Sequence, residues 1–368
     1  MRLRDLKLTN YRNCKDLGLN LESKKILIIG KNAQGKTNIL ESIYFLSTLK
    51  TPRTSNNIEL INFDAEKAEI NCNMLKAETD VELDYTYSRE KKRELAINKV
   101  KTTPKNFKLV LKTVLFSTAD LLLLRGNPSD RRDWLDRAIS QVYPAYDDRL
   151  SKYDKIRIQK NNLLKDYLKT GNLNETLLDV YNEQLVITGS NIIFLRIKFL
   201  KEIERIASEK HHIISETEEL KINYDCSFLN GETELEAIAA AFHQSLEERK
   251  IEETRRGQAC VGPHRDDIIF YINGNEATKF ASQGQQRTVV LALKLSELDI
   301  ITAKTGDEPV LLLDDVLAEL DDLRQNYLLK SISENTQTII TSVDTVLFEE
   351  EFLKDVKIYK IENGRISS

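Results

Sequence analysis

The eight residues Gly30-Lys31-Asn32-Ala33-Gln34-Gly35-Lys36-Thr37 have the spacing G-x-x-x-x-G-K-[ST], and each fixed position has a chemical use. The two glycines let the backbone wrap until its N–H groups face one centre. Lys36 brings a point charge suited to the β- and γ-phosphates of a nucleotide, and the Thr37 hydroxyl suits a Mg²⁺ ligand. A helix opening at Lys36 and running through Asn38 would aim its positive N-terminal end at the same point. The plainer alternative is a glycine-bearing turn between a strand and a helix. Against it stand the apolar run KILIIG at 25–30 and the helical spacing of Ile39, Ile43 and Leu46. Residues 30–38 are therefore read as a binding set for ATP with Mg²⁺.

A second pair of groups supports this reading. The apolar run VLLL at 310–313 ends in Asp314 and Asp315. Adjacent carboxylates repel each other and resist burial, so a metal and phosphates nearby would explain both. Asp314 is assigned with Thr37 to Mg²⁺. Asp315 is assigned to polarising the attacking water and, with Lys36, forms the catalytic pair. A solvated strand end before a turn is the alternative. A third motif, Ser282-Gln283-Gly284-Gln285-Gln286, precedes a helical stretch and lies 28 residues before Val310. Taken alone it is a serine N-cap; in this order it offers a second anion site at a helix start. Glu319 and Asp321 follow the paired acids in Ala318-Glu319-Leu320-Asp321.

These groups need strands and helices to hold them. Apolar strand-like runs occur near both ends of the chain, at 25–30, 309–313 and 336–341. AEINCNM and VELDYTYS alternate as antiparallel strands do, and DIIFYINGNEATKF reads as a hairpin turning at Asn273-Gly274. Between them, residues from about 128 to 248 are helical in character, with a seam through Leu178, Tyr181, Leu185, Thr188, Ile192, Leu195 and Phe199. Trp134 is assigned to the core. The expected fold is α/β: a discontinuous P-loop head, residues 1–120 and 255–368, with an antiparallel β subdomain and a helical arm inserted at 121–254.

The 368 residues carry a net charge of −4, which does not by itself favour nucleic acid. Any DNA surface must be local. Residues 89–112 hold nine basic residues against Glu90 and Glu94, and Lys91, Lys92, Arg93, Lys99, Lys101 and Lys105 are the DNA-contact candidates. Arg125, Arg131 and Arg132 are secondary candidates, and a merely solvated surface is the alternative. His264 and Arg265 read as structural, and Tyr11 and Arg12 as neighbours of a bound base. Cys14, Cys72, Cys226 and Cys260 form no CxxC pair, so neither a disulfide framework nor a zinc site is expected. No apolar run approaches the roughly 18 residues of a membrane helix, and the opening residues lack a signal-peptide core. A cytoplasmic protein is expected.

The order of phosphate loop, insertion, Ser-x-Gly-x-Gln, apolar strand with paired acids and Glu-x-Asp resembles the ABC ATPase plan. Over nearly the whole chain it resembles more closely the RecF family of bacterial recombination mediators. LRDLKLTNYRNC, GKNAQGKTNILESIYFLS, FSTADLLLLRGNPSDRRDWLDRAI, GPHRDD, SQGQQR and LLLDDVLAELD carry the likeness, with Gly126, Pro128, Arg131, Arg132 and Asp136 at the usual spacing. Two features depart from it. Thr118 and Ala119 stand where the family has a proline and an acid. The closing switch, Thr341-Ser342-Val343-Asp344, lacks the histidine that ABC transporters place near there. The resemblance implies that Ser282–Gln286 of one copy caps the triphosphate held by another, giving an ATP-dependent homodimer and D-loop roles for Glu319 and Asp321. It also implies binding of duplex and gapped DNA, work with RecO and RecR to help load RecA, and weak DNA-dependent ATP hydrolysis that releases the dimer. A small-molecule kinase would not need the serine motif. An SMC-like DNA tether would need a far longer helical block.

Overall fold

The computed structural model describes residues 1–54 and 56–367. It forms two compact units, Met1–Leu122 with Arg287–Ser368, and Leu123–Gln286. The first unit opens with β1 (Arg2–Tyr11), β2 (Cys14–Asn20) and β3 (Lys25–Ile29), then α1 (Lys36–Thr48). β4 (Lys67–Lys76), β5 (Thr79–Ser88), β6 (Arg93–Ile97) and β7 (Val100–Lys101) follow, then the short α2 (Pro104–Phe107) and β8 (Thr113–Ser117). Period-two alternation makes the first sheet. Ala68, Ile70, Cys72 and Met74 of β4 are buried while their neighbours are not. The strands pair antiparallel in the order β2-β1-β4-β5-β6-β7. The buried face packs on α1, where Phe45 meets Tyr85 edge-on at 4.7 Å.

The second unit contains α3 (Pro128–Val142), α4 (Tyr146–Thr170), α5 (Glu175–Ser215), β9 (Leu220–Asp225), α6 (Leu235–Arg256), β10 (Asp267–Ile272), β11 (Asn275–Glu276) and α7 (Ala277–Phe280). Asn127 and Asp130 form a capping box at the start of α3, and Pro128 occupies its first turn. The seam on α5 is buried at Leu178, Leu185, Thr188, Ile192, Leu195 and Phe199, with Tyr181 half-buried. The expected arm needs two corrections. It is not wholly helical, and its second boundary falls after Gln286 rather than at 254. The cause is a ladder between strands distant in sequence: β10 pairs with β9 from Asp267↔Asp225 to Ile272↔Leu220, with β11 beyond. The Asn273-Gly274 turn has positive φ at both residues, 50° and 79°.

Buried ion pairs fasten this unit. Arg131 forks onto Asp267 at 2.8 and 2.7 Å, and Arg132 donates to the Asp266 carbonyl at 2.7 Å. Arg196 forks onto Asp136 at 2.9 Å in both arms and donates to the Pro263 carbonyl at 2.6 Å. His264 Nδ1 lies 2.7 Å from the Tyr153 hydroxyl, and burial pulls its pKa down to about 3. Trp134 is buried against Phe270.

The chain returns to the first unit along α8 (Gln283–Thr305), then β12 (Val310–Asp314), α9 (Asp322–Ser331), β13 (Thr338–Ser342), α10 (Glu350–Leu353), β14 (Val356–Glu362) and β15 (Arg365–Ser367). The second sheet runs β15-β14-β3-β13-β12-β8, with β14, β3, β13, β12 and β8 all parallel. Ile26, Leu27, Ile28 and Val310–Leu313 are buried, as strands covered on both faces require. The register brings Ile29, Ser342, Asp314 and Ser117 to one edge, the carboxyl ends of parallel strands, where α/β folds place ligands. Among the described residues no helix is long and apolar enough to cross a membrane.

Candidate nucleotide site

A cleft of about 1010 Å³ opens at that edge, at the upper end of the range for ligand pockets. Its walls include Asn32–Asn38, Asp314, Asp315, Thr341 and Ser342. The loop between β3 and α1 keeps its shape because side chains are missing where contacts are closest. A Cβ on Gly35, at φ 108°, would stand 2.8 Å from Asn13 Oδ1, and one on Gly30 would stand 2.4 Å from the Ile361 carbonyl. Gly30 and Lys31 are not among the lining residues; their carbonyls accept from Lys36 Nζ at 2.7 and 3.3 Å. The ammonium is thus buried and satisfied within its own loop, 3.8 Å from Asp315 Oδ2.

Thr37 donates to Asp314 Oδ1 at 3.0 Å, and Thr341 donates to the same oxygen at 2.9 Å while accepting from the Asp315 amide at 2.9 Å. Burial raises the pKa of Asp314. The hydroxyls of Thr341 and Thr37 lower it, and the neighbouring Asp315 charge raises it further. Asp315 has φ 51°, and its Oδ1 is buried without a hydrogen-bond partner. This is an acceptor that a water or ligand would complete.

These features fit ATP with Mg²⁺. Among the described residues no cluster of three or more His, Cys, Asp or Glu could cage a metal. Mg²⁺ asks for less: one or two carboxylates, waters and phosphate oxygens. Asp314 and Thr37 would hold it. When bound, it would neutralise phosphate charge and polarise the phosphoryl group.

The other sequence-derived residues fall in different places. Ser282 caps α8: its Oγ accepts from the Gln285 amide at 3.2 Å, and its own amide donates to Gln285 Oε1 at 2.8 Å. Gln285 Nε2 donates to Glu218 at 2.7 Å, and Gln286 Nε2 to the Ala281 carbonyl at 2.9 Å. Ser282 and Gln283 are exposed, Gly284 is half-buried, and all five motif residues belong to the second unit, whereas the cleft belongs to the first. Glu319 lines the cleft and pairs with Arg287 at 3.0 Å, while Asp321 is the N-cap of α9.

The basic tract does not form one continuous face. Arg89 is spent on the carbonyls of Ala65, Phe63 and Asn62, and Lys112 is buried. Lys91 and Lys92 lie at the β5–β6 turn and Arg93 opens β6; Lys99 lies in the β6–β7 turn, a strand length of about 15 Å away, and Lys101 in β7 folds back opposite Ala96. Lys92 pairs with Glu90 at 2.6 Å, Lys99 with Glu82 at 3.6 Å and Lys101 with Glu94 at 3.9 Å. Lys105 lies in α2, exposed. Tyr11 is fully buried and Arg12 is clamped to Glu41 at 2.6 Å, so neither lines the cleft.

Three site features were not assigned from sequence. Thr341 braces both acids. Asn13 accepts from Asn38 at 2.8 Å, and Arg53 at the cleft wall donates to Asn38 Oδ1 at 2.9 Å. The turn at Asn363-Gly364 touches the phosphate loop. For the last, the Asn-Gly pair itself was an available signal.

The family described as RecF/RecN/SMC N terminal domain matches residues 2–367. The DNA replication and repair protein RecF of Bacillus velezensis is 38% identical over 368 residues, spanning all of both chains, and that of Bacillus subtilis is 37% identical over the same span. A solved structure of the recombination mediator protein RecF with ATP, from the RecFOR pathway, superposes with TM-score 0.91 at 34% identity, covering 100% of this chain and 97% of the other. An Smc head bound to the C-winged helix domain of ScpA, at 15% identity and TM-score 0.56, shares the fold alone. The architecture is thus that of an ABC-type ATPase head with an inserted unit, and the chain belongs to the RecF family.

Proposed function

We propose that this chain is a recombination mediator that binds Mg²⁺·ATP in the cleft at the carboxyl ends of β3, β12 and β13. The observation that carries the reading is the convergence of Lys36, Thr37, Asp314 and Asp315 on one edge of a parallel sheet. In this reading the loop amides and Lys36 hold the phosphates, Asp314 and Thr37 hold the metal, and Asp315, whose buried Oδ1 lacks a partner, orients the attacking water. Ser282–Gln286 of a second copy, a motif at a helix start with Ser282 and Gln283 exposed, supply the lid over the γ-phosphate. ATP thereby joins two copies, the pair holds duplex or gapped DNA, and slow DNA-dependent hydrolysis lets it go. The relatives' names support a place in recombination and repair. Work beside RecO and RecR, and help in loading RecA, belong to the same proposal, as do the DNA contacts of Lys91, Lys92, Arg93, Lys99, Lys101 and Lys105.

Sedimentation with Mg²⁺, ATP and duplex DNA tests the proposal. Wild type should dimerise with nucleotide, Lys36→Ala should bind none, and Asp315→Asn should remain a trapped dimer. Ser282→Arg should bind ATP as a monomer. A wild-type chain that stays monomeric with saturating nucleotide and DNA would refute the lid.

A further inference from the structure

The last hairpin of the chain turns on Asn363-Gly364, with φ of 49° and 70°. Both residues are left-handed, the geometry for which Asn-Gly is favoured in a two-residue turn. The turn is docked on the phosphate loop. The Asn363 amide donates to Gln34 Oε1 at 2.6 Å, and the Gly364 amide donates to the Gln34 carbonyl at 2.9 Å. There is no room for a side chain at the second position, because a Cβ on Gly364 would stand 2.5 Å from the Asn13 carbonyl. One residue before β14 ends, the Ile361 carbonyl lies where a Cβ of Gly30 would be. Asn13, in the β1–β2 turn, holds the far side through Asn38. The loop is therefore gripped at Gly30 and Gln34 by one hairpin and near Gly35 by another.

This grip fixes a direction as well as a position. In a planar trans peptide the carbonyl of one residue and the N–H of the next point opposite ways. With the Gln34 carbonyl drawn to the hairpin, the Gly35 N–H is turned away from it. Gly35 and Lys36 line the cleft. A loop whose amides are already set loses less conformational entropy when phosphate arrives.

We propose that the Asn363-Gly364 turn is a positioning element for the phosphate loop, acting through Gln34 to set the affinity for nucleoside di- and triphosphates. The proposal rests on the reading of the cleft as a triphosphate site. The full chain is titrated calorimetrically with Mg²⁺·ATP and Mg²⁺·ADP, and the melting temperature is recorded with and without nucleotide. Gly364→Ala, which strains φ and drives a methyl into Asn13, should weaken both nucleotides about tenfold, equivalent to about 1.4 kcal/mol. Gln34→Ala, which removes the acceptor for Asn363, should weaken both about 3- to 10-fold. Asn363→Gly keeps the turn and both backbone donors and should bind as wild type does.

A merely structural role would lower the nucleotide-free melting temperature of the first two variants and leave their dissociation constants unchanged. That result overturns the proposal, and Gln34→Ala alone decides it if Gly364→Ala does not fold. Lys36→Ala separates the two levels. If it abolishes binding while Gln34→Ala and Gly364→Ala bind normally, the positioning role alone fails. If it binds as wild type, the triphosphate reading fails and takes this proposal with it.

Discussion

Replacing Thr341 with Val removes one buried hydroxyl and keeps the shape. That hydroxyl donates to Asp314 Oδ1 and accepts from the Asp315 amide, both at 2.9 Å. A hydrogen bond to a charged group is worth about 1.5–3 kcal/mol, and a buried amide left unpaired costs about 1–3 kcal/mol. Because the two losses share one atom they overlap, and about 2–4 kcal/mol of folding stability should go. The second effect is chemical. Burial already pushes Asp314 upward, and Thr341 is the largest of the groups that hold it down. Without Thr341 its pKa rises further, so the pH below which Mg²⁺·ATP affinity falls should move upward. Urea unfolding and nucleotide titrations across pH measure the two effects. A variant within about 0.5 kcal/mol of wild type, with an unshifted pH midpoint, would refute the bracing role.

Asp314→Asn should stabilise the nucleotide-free chain at neutral pH and abolish Mg²⁺-dependent binding. The raised pKa means the fold prefers the protonated acid, so stability falls as pH rises through the window between the unfolded and folded values; pH-dependent urea melts read this directly. Arg196→Met should cost about 3–5 kcal/mol in denaturant titrations, because Asp136 loses the guanidinium that forks onto it. His264→Gln should flatten the acid side of the stability profile. His264 is held near 3 against an unfolded value of 6.5, so wild type loses its contribution as pH falls below 6.5, while Asp266, raised to about 6, opposes this by gaining protons in the fold. A variant whose stability falls as much as wild type's between about pH 7 and about pH 5 would exclude His264 as the cause.

The phosphate loop and paired acids were legible because their chemistry is local. Eight consecutive residues fix the loop, and an apolar run ending in two carboxylates has few other uses. Thr341 was harder to find. It is distant in sequence from Asp314, and the contact exists because β13 lies parallel to β12 with Thr341 opposite Asp314. Parallel pairing leaves no turn in the sequence to mark it. The same reasoning explains the misplaced boundary at 254. Residues 220–225 fall inside the stretch read as helical, and the partner that makes them a strand, β10, comes over 40 residues later. The basic tract could not be placed from the sequence alone. Lys and Arg counts add along a chain, but the fold divides them between turns and strands, and Arg89 bonds backbone carbonyls.

The charges around the cleft bear on the proposal that a second copy completes it. Lys36 and Arg53 face Glu41, Asp314, Asp315, Glu319 and Asp344 along its walls. Arg12 matches Glu41 from behind, which still leaves the carboxylates in excess. A triphosphate entering this lining meets like charge, and Lys36 must give up the Gly30 and Lys31 carbonyls to reach it. Lys36 is needed, but with carboxylates in excess side-chain charge alone cannot supply the affinity. What remains is the fixed N–H groups of the loop, a divalent cation and whatever positive end is presented from outside. If that is the balance, removing Mg²⁺ should weaken ATP far more than a lysine-rich cleft would suffer. Ser282→Arg, which fouls the outside contribution, should leave monomer affinity intact yet abolish the extra affinity that appears at high protein concentration. Affinity independent of protein concentration in the wild type would show that the cleft is complete within one chain.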